Sequence, residues 1–297
     1  MAREARQAAE SRLLTTWWNS PYISPMKNTT LILGFLLLSA LTAHAQNSFP
    51  YAFTKASWNA TFVGIAAQSA AFAIPDPVLS HESIDNLNAT QVNWFDRAAT
   101  RNYSLSYAKR SDQTLNILMV APATTSAALL RTHSFNNTLT YAGMYLETFV
   151  ITNGTKDLIK DLFGRTRPVF YNSNLSLSDR YDLADMGDGR TSFYSGHTAV
   201  AFSSAVFLAS THDELYDAPM RSAALWTVSL GLAGYTAYAR YEAGKHFPTD
   251  ILAGAIIGSA LGYGIPKLHM VRHSGWSFST HPQGLSLNYD LTCRFLM

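Results

Sequence analysis

The chain has 297 residues, 47% of them hydrophobic and 14% charged. A soluble domain usually carries roughly 25% charged residues, so this composition excludes a disordered or fibrous protein and allows a large apolar core. A net charge of +2 from 22 Lys+Arg and 20 Asp+Glu argues against a nucleic-acid partner, and the single cysteine, Cys293, excludes an intramolecular disulfide framework.

In chain order, residues 26–45 read as a secretory signal: Lys27 gives a positive start, 31–41 an apolar run, and Ala43-His44-Ala45 a small-x-small cleavage site before Gln46. Residues 1–25 form an extension ahead of it. The mature unit, 46–297, shows no linker or repeat and reads as one domain, exported to the periplasm or cell envelope. Apolar stretches at 58–74, 115–130, 139–162, 198–210, 223–240 and 251–263 predict an all-α fold, a single helical bundle of about six core helices. Pro75 should end the first helix and Pro122 kink the second. Alternation from Gly275 to Leu291 around His281-Pro282-Gln283-Gly284 predicts a small C-terminal β-hairpin. Residues 56–75, 113–130 and 222–239 lack Asp, Glu, Lys and Arg and are about long enough to cross a bilayer. They also carry Asn59, Gln68, Thr124, Thr125 and Ser126, and Glu147 sits in the third helix. Membrane association is therefore open, with an exported soluble or peripherally attached bundle slightly favoured.

Three clusters concentrate charge in apolar surroundings. In the first, Lys160 and Arg167 are seven residues apart, and Pro168 pushes Arg167 out of helical geometry toward a shared anion. Alone, this pair equally fits a solvated helix end. In the second, Ser195 and Gly196 stand at the start of the apolar run from 198, where free N–H groups and the helix dipole face an anion, and His197 projects into the same space. An N-cap serine beside a passing histidine is the plainer alternative. In the third, Arg240 precedes His246, Pro248 starts a helix, and Asp250 in its first turn can fold back to the His246 ring, fixing its tautomer. Arg165 and Lys245 read as solvated or supporting positives, and Arg190 as part of a surface loop.

Together, Lys160, Arg167, Pro168, Ser195, Gly196, His197, Arg240, His246 and Asp250 resemble the three-part signature of the phosphatidic acid phosphatase type 2 (PAP2) superfamily, K-x6-R-P, P-S-G-H and S-R-x5-H-x3-D. Tyr194 stands where the family has proline and Ala239 where it has serine. The resemblance implies a PAP2-like bundle and a hydrolase, an acid phosphatase or lipid phosphate phosphatase. It implies His246 as nucleophile forming a phosphohistidine, Asp250 as its orienting partner and His197 as general acid. Lys160, Arg167, Arg240 and the Ser195-Gly196 backbone would hold the phosphoryl oxygens. No metal and no cofactor are implied, since three cations and a helix N-terminus take that place. The partner would be a phosphorylated lipid or a small organic phosphate. The same superfamily includes vanadium-dependent haloperoxidases, which are longer than the roughly 250 residues left after signal removal. A non-catalytic membrane bundle is disfavoured by the intact His197, His246 and Asp250.

Overall fold

The computed structural model describes residues 49–75 and 77–271, together with the segments 275–281 and 284–290. The signal and the extension before it lie outside the described residues. The fold is an all-α bundle of eight helices among those residues: α1 (Lys55–Ala73), α2 (His81–Asp85), α3 (Leu105–Leu129), α4 (Phe135–Phe163), α5 (Leu177–Asp185), α6 (Gly196–Leu215), α7 (Pro219–Glu242) and α8 (Pro248–His269). The six long helices fall on the six apolar stretches. The short α2 and α5 have no such stretch behind them; each starts at a serine, Ser80 and Ser176, whose hydroxyl caps the first turn. Helix α1 ends just before Pro75, whereas α3 runs on as one helix through Pro122. Two segments after the bundle, β1 (Gly275–His281) and β2 (Gly284–Asp290), pair antiparallel with Trp276 opposite Tyr289.

Helix α6 is the axis. Its Ala, Ser and Val side chains are small all round, which lets neighbours pack on every side, and most of the helix is buried against α3, α4, α7 and α8. Ile117, Ala121, Leu208, Ala209 and Leu225 form one core cluster; Leu129, Tyr141, Met144, Phe207 and Leu215 form another. Glu147 on α4 is buried and meets buried His269 on α8, Nε2 to Oε2 at 2.6 Å, so this interior carboxylate has a partner on a neighbouring helix.

The α6–α8 contact is made backbone to backbone. A Cβ on Gly254, Gly258 or Gly262 would lie 2.6, 2.2 and 2.3 Å from the carbonyl oxygens of Ser195, Ala199 and Ser203. Four-residue spacing puts all three on one face of α8. Gly264, on the same helix, would meet nothing within 4 Å. Alanine exceeds glycine in helix propensity by roughly 1 kcal/mol, so Gly264→Ala should raise the melting temperature slightly. Gly258→Ala should lower it despite the same gain, because no rotamer change relieves a Cβ against a backbone oxygen; the expected loss is about 1–3 kcal/mol. Thermal denaturation of the pair checks the opposite signs.

Among the described residues one helix, Pro248–His269, is long and apolar enough to cross a bilayer by length and composition, with 28% of its apolar window buried. The stretches 56–75, 113–130 and 222–239 do not reach that hydropathy, because Asn59, Gln68, Thr124, Thr125 and Ser126 dilute the first two and Ser, Thr and Gly the third.

Candidate active site

Three chain reversals bring the clusters together. Helix α4 carries Lys160 in its last turn and stops at Gly164, whose left-handed φ of 53° closes it. Arg167 then adopts extended geometry ahead of Pro168, as the sequence requires, and its N–H donates to Gly189 O at 3.0 Å. Ser195 is the N-cap of α6. Phe247 is extended before Pro248, which opens α8 and leaves His246 just outside the helix. Gly244, at φ +69°, makes the turn from Arg240 to His246, and a Cβ there would lie 2.2 Å from Asn102 O.

Two guanidinium groups in this space are buried and incompletely paired. Arg167 Nη2 donates to Thr191 Oγ1 at 3.0 Å and meets Asp188 at 3.1 Å, while its Nε and Nη1 have no partner. Arg240 Nη1 donates to Ser111 Oγ at 3.4 Å, and its Nε has none. Leaving charged donors unpaired in the interior costs several kcal/mol, so the arrangement calls for an anion.

The cations also act on one another. Burial, and then the charges of Arg167 and Lys156, push Lys160 down to about 7. Burial and Arg167 push Arg240 down to about 10. His246 is held well below the usual histidine range by burial and then by Arg167, Arg240 and Lys160. His197 is pushed down to about 3 by burial and Arg240, against the pull of Asp112. Both imidazoles are therefore neutral before an anion binds. A bound dianion places negative charge beside them and raises both.

His246 Nδ1 lies 2.8 Å from Ser192 O, which makes it the protonated nitrogen and leaves Nε2 with its lone pair. Asp250 does not fold back to the ring as the sequence suggested. Its Oδ2 is 3.9 Å from Nδ1, too far for a hydrogen bond. The first turn of α8 takes the carboxylate instead: Oδ2 accepts Phe247 N–H at 2.9 Å and Ser192 Oγ–H at 2.6 Å, and Oδ1 accepts Arg165. Burial raises the Asp250 pKa, against the opposing pull of Arg165, Ser192 and the Phe247 N–H.

The expectation for Ser195 also changes. Its N–H donates to Asp250 O at 3.1 Å and is not free for an anion, while its hydroxyl oxygen accepts Thr198 N–H at 3.4 Å and lies 2.8 Å from Thr198 Oγ1. The free donors at this helix start are the N–H groups of Gly196 and His197, which have no intrahelical acceptor by position.

His197 Nε2 lies 2.9 Å from Asp112 Oδ1, and Arg240 Nη1 is 4.0 Å from the same oxygen. Sequence reasoning missed Asp112, although a lone carboxylate at the head of the charge-free run from 113 was a usable signal. Arg165, set aside as solvated or supporting, holds Asp250. Lys245 reaches Asp188 at 3.7 Å, and Arg190 Nε donates to Gly164 O at 2.9 Å. Tyr194 and Ala239, where the signature differs, are both buried.

Among known proteins, a family model described as the PAP2 superfamily matches residues 141–274, which contain all three clusters. No curated protein matches. A solved structure, that of a transmembrane PAP2-type phosphatidylglycerolphosphate phosphatase from Bacillus subtilis, is 20% identical over 80% of this chain and 94% of its own, with a TM-score of 0.37.

Proposed function

Because the chain belongs to the PAP2 superfamily through residues 141–274, we propose that it is an exported phosphatase that hydrolyses phosphate monoesters or diphosphates of lipids or small organic molecules. The observation that carries this is the pair of buried guanidiniums, Arg167 and Arg240, with three nitrogens lacking partners. Together with Lys160 and the N–H groups of Gly196 and His197, they hold the phosphoryl oxygens and stabilise the charge that spreads over them.

His246 Nε2 attacks phosphorus, forming an N–P bond as the P–O bond to the leaving group breaks. His197, charged once the dianion is bound, gives its proton to the departing oxygen, and Asp112 supports the charged ring. Water then attacks the phosphohistidine, with His197 taking a proton, and phosphate leaves.

Phosphate release from a panel of a phosphatidic acid, an isoprenyl diphosphate and p-nitrophenyl phosphate tests the activity and its substrate class; no release from any of them rejects it. Competition by tungstate, a dianion across the pH range used, tests the anion site. Lys160 is held down to about 7 before an anion binds, and a bound dianion raises it. Affinity already falls with rising pH through the proton His197 takes up on binding, and above about pH 7 Lys160 should add up to tenfold per pH unit to that fall. Lys160→Gln should remove the added slope. A wild-type slope no steeper above about pH 7 than below it would remove Lys160 from the site.

A further inference from the structure

Asp250 is gripped by Arg165 of the first cluster, and Arg165 is held in turn from a part of the chain that carries none of the three clusters. Arg165 Nη1 donates to Asp250 Oδ1 and, at 2.8 Å, to Thr249 Oγ1; its Nη2 donates to Asp96 Oδ2 at 2.8 Å. Asp96 is fully buried. Its Oδ1 accepts Thr249 N–H at 3.0 Å, and its Oδ2 accepts Thr249 Oγ1–H at 2.7 Å and Asn93 Nδ2–H at 2.9 Å. The Asp96 N–H donates back to Asn93 Oδ1 at 3.0 Å. The Arg165 guanidinium also lies 4.2 Å from the centre of the Phe247 ring. Asp96 stands before the matched region 141–274. One guanidinium thus bridges two buried carboxylates, a geometry that its planar fork serves and a lysine does not.

The consequence runs to the nucleophile in two steps. Asp250 Oδ2 takes the N–H of Phe247, the residue next to His246, and the hydroxyl of Ser192, whose carbonyl in turn takes His246 Nδ1. We propose that Asp96 and Arg165 form a positioning pair for the reaction: Asp96 fixes the Arg165 fork, the fork fixes Asp250, and Asp250 fixes both the backbone and the ring of His246. The charged groups that face Asp250 are Arg165 and Arg167, with Asp96 across the guanidinium, and the neutral His246 ring is the other titratable group beside it. Arg165 supplies positive charge that opposes the upward pull of burial on the Asp250 carboxyl. Hydrogen bonds from Asn93, Thr249 and Arg165 outweigh burial at Asp96 and hold it below the usual carboxylate range.

The assignment rests on His246 as the nucleophile of the proposed phosphatase. The test compares Arg165→Met, Arg165→Lys and Asp96→Asn with Arg97→Met, which unties the Val92 carbonyl in the same loop without touching Asp250. The measurements are kcat and KM on p-nitrophenyl phosphate against pH, melting temperature, and the 13C titration of the Asp250 carboxyl. Arg165→Met should lower kcat about 100-fold with KM within about threefold, the cost of a misplaced reacting group. Its acid limb and the Asp250 titration should both move up by about one pH unit. Arg165→Lys should keep the acid limb and still lose about tenfold in kcat, since it keeps the charge and loses the fork. Asp96→Asn should lose about tenfold in kcat. Arg97→Met should change only the melting temperature. If Arg165→Met fails to fold, Arg165→Lys and Asp96→Asn decide, and kcat within twofold of wild type in both overturns the proposal. An Asp250 titration unmoved in folded Arg165→Met also overturns it. If the wild type releases no phosphate yet the Asp250 titration shifts, the phosphatase reading fails while the Asp96–Arg165–Asp250 linkage stands. If His246→Ala is inactive and the Arg165 and Asp96 variants match wild type, the positioning pair fails alone.

Discussion

Replacing His246 with alanine is expected to remove phosphate release altogether, a fall in kcat of about 10⁴-fold or more, the size of loss seen when a covalent nucleophile is deleted. The structure makes the prediction specific to one nitrogen. His246 is 1% exposed and neutral, with Nδ1–H fixed on Ser192 O, so only Nε2 presents a lone pair. Loss of the ring leaves the Ser192 carbonyl unpaired in the interior, and that alone costs about 1–3 kcal/mol of stability. His246→Asn separates the two effects, because its amide can still donate to Ser192 O but has no nucleophilic ring nitrogen. Both variants should be inactive, with His246→Asn the more stable of the two by thermal denaturation. Retention of a tenth or more of wild-type turnover in the folded Asn variant would reassign the nucleophile.

His197→Ala should discriminate between leaving groups. Protonation of the departing oxygen is worth roughly 10²- to 10⁴-fold when the alcohol is strongly basic, and little when the leaving group is p-nitrophenolate. The variant should therefore lose that factor on an alkyl phosphate and far less on p-nitrophenyl phosphate. Asp112→Asn should show the same asymmetry in weaker form, since Asp112 Oδ1 holds His197 Nε2 at 2.9 Å and stabilises the charged ring. Equal losses of kcat/KM on the two esters would make His197 a phosphate ligand and leave the acid elsewhere.

The six long helices were legible because each is an apolar run of sufficient length, and the starts of α6 and α8 because serine and proline mark them. The extended Arg167, the capping Ser195 and the placement of His246 outside α8 followed from the same local rules. What the chain did not disclose was every link between distant residues. The partner of His197 lies 85 positions away at Asp112, and that of Arg165 lies 69 positions away at Asp96. Periodicity carries no trace of such pairings. Asp250 shows the limit from the other side: its spacing from His246 permits a direct contact, but the Phe247 N–H and the Ser192 hydroxyl compete for the carboxylate and win.

The seam between α6 and α8 carries a further implication. One of the two histidines proposed for catalysis stands at the head of each helix, and glycine touches carbonyl along their contact, so the gap between the two imidazoles is gauged by main chain and not by side-chain fit. A gauge of that kind tolerates drift in the surrounding sidewalls. Substitutions elsewhere around the site should leave the spacing of the two imidazoles constant. Libraries aimed at new substrates should accordingly leave Gly254, Gly258 and Gly262 untouched.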